Sequence, residues 1–161
     1  MANWQGSFRT NYFRVRDEAA FRTWVASLMA EDDIKVFGSD HSGQTGLLGL
    51  GASTAIPRDR QLTPAEIQAW NIAHPEDAPL DPDSDLNMTD IDEGGIDFNA
   101  ELAAHLVEGE IAVIQEVGWE KLRYLTGVGY ALDHTGTVLA RGDIDDALNL
   151  PEGRQTTLPT Y

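Results

Sequence analysis

A chain of 161 residues carrying 27 acids against 11 bases is long enough to bury a core, and its formal net charge of −16 argues against direct contact with nucleic acid. It has no cysteine, which excludes disulfides, zinc–thiolate sites, iron–sulfur clusters and thiol nucleophiles. No apolar run approaches 18 residues, so no membrane span is expected; the opening MANWQGSFRT lacks the order of a signal peptide, and the expected location is cytoplasmic.

Taken in chain order, NYFRVR at 11–16 alternates, with Phe13 and Val15 facing one way and Arg14 and Arg16 the other, the pattern of a half-buried strand. Asp17 then caps a helix whose apolar positions Phe21, Trp24, Val25, Leu28 and Met29 recur at helical spacing. Glu31, Asp32 and Asp33 end it, and 34–37 read as a strand. The glycine-rich run 38–53 holds an apolar centre, Leu47 to Leu50, that suits a short strand. Thr63-Pro64-Ala65-Glu66 is a helix start with N-cap, proline at N1 and a capping-box Glu at N3, and Pro75 stops that helix by His74.

Residues 75–95 differ in kind: three prolines, two glycines, eight acids and little to bury predict a long exposed, mobile loop. Asp97 caps a further helix with Phe98, Leu102 and Leu106 on one face. From Glu110 the chain reads as an antiparallel meander. The first strand, 110–117, puts Ile111, Val113 and Val117 on one face with Ile114 behind, which places Val113 in the core. The second, 120–132, puts Leu122, Tyr124, Val128, Tyr130 and Leu132 on one face. Gly127, Gly129 and Ala131 leave the other face nearly bare, as if a helix packed closely there. Asp133-His134-Thr135-Gly136 turns the chain into a short third strand, 137–141. Asp143 begins a helical turn with Ala147 and Leu148, and 151–161 read as a loose tail. The expected architecture is one α+β domain over 1–150, an antiparallel sheet of four to five strands with two to three helices mainly on one face.

Motifs that could carry chemistry are sparse. Asp40-His41-Ser42 contains the residue types of a catalytic triad, but adjacent side chains diverge and cannot line up unaided. The run Gly43–Gly51 lacks the Lys-Ser/Thr of a phosphate loop and suits a permissive turn. Glu101 and His105 share a helix face, with Glu108 beyond, yet two further ligands would be needed to hold a metal. Asp81, Asp83, Asp85, Asn87, Thr89 and Asp92 fall in a calcium-loop register, against which Leu86 replaces the turn glycine and Asp the final Glu. No catalytic residue, metal site or cofactor is assigned.

Charge distribution carries more. Residues 61–120 hold 15 acids and no Lys or Arg, whereas 1–60 hold seven of each sign. Adaptation to salt would spread acid over the whole surface; confinement to one stretch points to a surface that meets a basic partner. The expected partner-binding residues are Glu76, Asp77, Asp81, Asp83, Asp85, Asp90, Asp92, Glu93, Asp97 and Glu101.

The segments EIAVIQEVGWEKLRYLTGVGYAL (110–132) and TNYFRVRDEAAFRTWV (10–25) resemble small proteins carried by bacterial phages and mobile elements. The resemblance transfers no functional residue. It implies a role against a host defence system, where inhibitors that imitate DNA recur. The expected function is therefore non-enzymatic: an acidic, DNA-mimic-type inhibitor of a basic nucleic-acid-binding protein, with no direct contact to nucleic acid or membrane and with a homodimer as one option. Two alternatives stand beside it, a small enzyme or ligand-binding domain using His41, His105 or the Gly43–Gly51 loop, and a calcium-stabilised interaction module.

Overall fold

The structure, a computed structural model, describes residues 4–38, 45–120, 124–143 and 146. Asp40-His41-Ser42, the start of the glycine run, Leu122, the Ala147–Leu148 turn and the 151–161 tail lie outside the described residues.

The chain forms β1 (Trp4–Thr10), α1 (Glu18–Ser27), β2 (Leu28–Met29), β3 (Lys35–Phe37), β4 (Gly49–Ala52), β5 (Asp59–Arg60) and α2 (Pro64–Ala73). A 3-10 turn (Met88–Asp90), α3 (Phe98–His105), β6 (Ile111–Glu120), β7 (Tyr124–Asp133) and β8 (Val138–Asp143) follow. Six strands make one antiparallel sheet in the order β3-β4-β1-β6-β7-β8, and β2 pairs with β5 in a small second sheet. The α+β class and the meander at 111–143 are as the pattern predicts, with more strands than expected.

One added strand is β1, which sits in the middle of the sheet between β4 and β6. Its inward residues are Gly6, Phe8 and Thr10, of which only Phe8 is a large apolar group. A Cβ on Gly6 would stand 2.9 Å from the Ala55 nitrogen, so the sheet and the 54–55 segment touch backbone to backbone. Thr10 is buried because its hydroxyl accepts the Leu50 N–H and donates to the Asn11 carbonyl. The strand expected at 11–16 is not one. Its alternation is real, since Phe13 is fully buried and Arg14 and Arg16 are exposed, but only single bridges form, Phe13 to Leu48 and Val15 to Leu106.

The helices start where their caps predict. Asp17 accepts from Ala20 N–H, Asp97 from Ala100 N–H, and Thr63 and Glu66 close a reciprocal capping box. The first helix stops at Ser27, short of its expected end: Leu28 and Met29 leave it as β2, pairing with Arg60 and Asp59.

Packing falls on one face of the sheet. Phe8, Leu50, Ala112, Ile114 and Leu132 meet Phe21, Trp24, Val25, Phe98, Leu102 and Leu106. The rings interlock edge to face or tilted: Phe13–Phe21 at 6.0 Å, Phe21–Trp24 at 5.7 Å, Trp24–Phe98 at 5.6 Å and Phe8–Phe98 at 6.0 Å. The expected facing of β6 is inverted. Ala112 and Ile114 point into this layer, while Ile111, Val113 and Val117 are 43%, 36% and 47% exposed on the other side. Among the described residues no helix lies over Gly127, Gly129 and Ala131, for the same reason: α3 packs beneath, where Tyr130 and Leu132 point.

Candidate functional site

The acidic stretch between α2 and α3 is exposed, as expected, and is hydrogen-bonded to the rest of the chain at several points. Asn71 clasps Leu80 through both its amide groups, accepting the Leu80 N–H and donating to the Leu80 carbonyl at 2.8 Å each. Leu62 N–H donates to the Leu86 carbonyl, and Gln61 bridges Asn87. Asp59 accepts both the Thr89 hydroxyl, at 2.6 Å, and its N–H. Burial opposes ionisation of the Asp59 carboxyl, but these bonds prevail and hold it below the ordinary range. Ile96 N–H donates to the Arg58 carbonyl, and Gly95, at φ +69°, packs so closely there that a Cβ would lie 2.1 Å from that oxygen.

On this framework the ten expected partner-binding acids divide. Glu76, Asp77, Asp83, Asp85 and Glu93 are exposed and make no intramolecular side-chain bond among the described residues. Asp81, Asp90, Asp92 and Asp97 are also exposed, but each accepts a nearby backbone N–H, from Asp83, Asn87, Gly94 and Ala100. Glu101 is turned inward. It accepts the Trp24 indole N–H at 2.7 Å and is clamped by the Arg60 guanidinium at 2.9 and 3.2 Å.

Arg60 is the hinge of that arrangement. Its other nitrogens reach Glu66 at 2.6 and 3.1 Å, so one guanidinium with an 11% exposed side chain ties α2 to α3. The bonded guanidinium lowers the Glu66 carboxyl to about 2, against the opposing effect of burial. The base nearest in sequence to the acidic segment is thus spent inside, leaving the exposed carboxylates without a neutralising neighbour of their own stretch.

The other candidates resolve differently. Thr89 turns to Asp59, and Asp81 and Asp92 fold back on local N–H groups, so the calcium register does not close into a cage. Among the described residues no three acids or histidines converge as a metal set. His105 lies against the Phe21 and Trp24 rings at 5.6 and 5.0 Å; burial lowers its pKa, while Glu101 and Asp17 push the other way. Of the described glycines of the 43–51 run, Gly46 turns the chain at φ +79°, as a permissive turn requires, while Gly49 and Gly51 serve the sheet. A Cβ on Gly49 would meet the Asn11 carbonyl at 3.0 Å, and one on Gly51 the Phe37 ring at 3.1 Å.

Sequence reasoning missed a groove of about 570 Å³ between Ala55–Arg58, Gly94–Asn99, Glu116 and Tyr130. Glu116 points into it and accepts the Ile56 N–H at 3.0 Å, and the Tyr130 hydroxyl donates to the Asn99 side chain at 2.8 Å. Burial keeps the Tyr130 phenol above its ordinary range, hence a neutral hydrogen-bonding group. The polar side chains of its described lining are Arg58, Asp97, Asn99, Glu116 and Tyr130. An acid on the inward side of β6 was the available signal. No family model, curated protein or solved structure matches the chain. Among the described residues no helix is long and apolar enough to cross a membrane.

Proposed function

We propose that this protein acts without catalysis, by presenting the acidic segment between α2 and α3 to a basic, nucleic-acid-binding surface of another protein and blocking it as a DNA mimic would. The observation that carries this reading is the set of five exposed, unpaired carboxylates, Glu76, Asp77, Asp83, Asp85 and Glu93, on a backbone fastened at both flanks and in the middle. A mimic of a phosphate array needs charge at fixed positions, because ordering a floppy chain on binding would cost affinity. Antagonism of a host defence protein is the setting implied by the phage-like resemblance.

The test is competition. The partner is recovered by pull-down from a bacterial extract, and duplex DNA is titrated against the complex. DNA displaces the protein, and binding weakens as salt rises, since exposed charges are screened over about 8 Å at physiological ionic strength. Replacing the five free acids together by Gln or Asn slows association while leaving the circular dichroism unchanged. Asp90 and Asp92 are left intact in this variant because they hold turns. Simultaneous binding of DNA and this protein, or undiminished binding by the variant, refutes the reading.

A further inference from the structure

We infer that the outward face of α2 is a docking surface, and that its occupant is an amphipathic basic helix of the partner. The inference rests on the acidic-surface reading above and adds an apolar half to it. The helical repeat turns Ile67 into the protein and sends Ala65, Gln68, Ala69, Ile72 and Ala73 out to solvent. A surface helix ordinarily opposes its buried stripe with charged groups. The outward face of α2 has none, in a chain that is 24% charged. At its centre Ile72 is 81% exposed, the most exposed large apolar side chain among the described residues.

Charge beside the face selects the occupant. Asn71, near the end of α2, holds Leu80, and Leu62, just before its start, holds Leu86, so residues 80–86 run back along the helix. Asp81, Asp83 and Asp85 are exposed on that strip, while Pro82, Ser84 and Leu86 alternate with them half-buried. An uncharged face about 15 Å long therefore lies beside a row of carboxylates. The one acid of α2 itself, Glu66, is bonded to Arg60, and residues 61–120 contain no base. The complement is a surface with apolar groups in one stripe and bases in the next, as an amphipathic basic helix presents them. The DNA major groove admits a helix, so a surface that stands in for DNA has to receive the same element. A second copy is the wrong occupant, because it would bring two such rows of acid together. The carboxylates speed encounter, and the contact with Ile72 slows dissociation.

The test uses the full chain and two synthetic peptides of equal charge, an oligolysine and a lysine–leucine helix with its leucines in one stripe. Each is titrated calorimetrically at about 0.15 M salt. The amphipathic peptide binds about tenfold tighter than the oligolysine. Ile72→Gln removes most of that margin and leaves oligolysine binding unchanged; the fold is spared, because the side chain is in solvent. Val113→Gln, at an exposed position of the open sheet face, keeps the margin. Asp83→Asn with Asp85→Asn weakens the amphipathic peptide by about threefold. A margin that survives Ile72→Gln, or that falls equally in Val113→Gln, overturns the inference. So does a free chain that sediments as a dimer and is made monomeric by Ile72→Gln, which assigns the face to a second copy. Oligolysine binding with no margin strikes the helix face alone, whereas binding of neither peptide strikes the acidic reading and this inference with it.

Discussion

The two faces of one sheet are treated in opposite ways. Beneath it, every large group is interlocked: Phe8, Ile114 and Leu132 close against a continuous chain of rings from Phe13 to Phe98, and even the charges there are paired. Above it, three branched residues of β6 stand in the open beside glycine and alanine. Both faces of β6 alternate with equal regularity, so periodicity alone does not say which is the core. Supply decides: α1 and α3 both bring aromatic residues, and those helices lie on the side to which Phe8 and Leu132 point.

Substitutions at adjacent positions of β6 would separate the faces most sharply. Ile114→Asp, at a fully buried position, abolishes the cooperative thermal transition, because it buries an unpaired carboxylate among rings. If that variant melts like the wild type, the core is misplaced. Next in size is Arg60→Ala, which leaves Glu66 and Glu101 facing each other across the layer without their cation; a loss of about 3 kcal/mol is expected from urea denaturation. An effect below about 0.5 kcal/mol would mean that solvent replaces the guanidinium.

Val113→Asp is the milder counterpart on the open face. It leaves a folded chain, destabilised by about 1 kcal/mol through poorer strand propensity, measured by urea denaturation. Smallest is the pH effect of the layer beneath. The His105 pKa is lowered from its ordinary 6.5, so the stability from keeping it neutral is complete above that value and is lost as pH falls through the folded-state value. Glu66, held near 2, loses its contribution only at far lower pH and stays silent in this window. The melting temperature accordingly falls more between pH 7.5 and 5 in the wild type than in His105→Gln; equal slopes would assign the effect elsewhere.

What the amino-acid pattern made legible is local. Caps at Asp17, Thr63 and Asp97, the meander and its Asp133–Gly136 turn all follow from a few adjacent residues. What stayed hidden depends on distant ones. β1 is central because Gly6 and Thr10 touch segments 40 residues and more away, which no window around WQGSFRT discloses. The inverted facing of β6 has the same origin. In the acidic segment the charges were plain but their division was not. Glu101 looks like its neighbours until Arg60, 41 residues earlier, is seen to hold it. Likewise the anchoring of 75–95 draws on the Asp59 carboxylate and the Arg58 backbone carbonyl, groups of the preceding strand region rather than of the segment itself.

Gly95 gives that anchoring a wider meaning. Any side chain there would collide with the Arg58 carbonyl and force the segment off its support, yet it would leave every carboxylate of the chain in place. Net charge, isoelectric point and electrophoretic mobility would be conserved while the spatial order of the charges was lost. One position thus distinguishes a polyelectrolyte, which attracts any cation in proportion to its valence, from a template, which discriminates among cationic surfaces by their spacing.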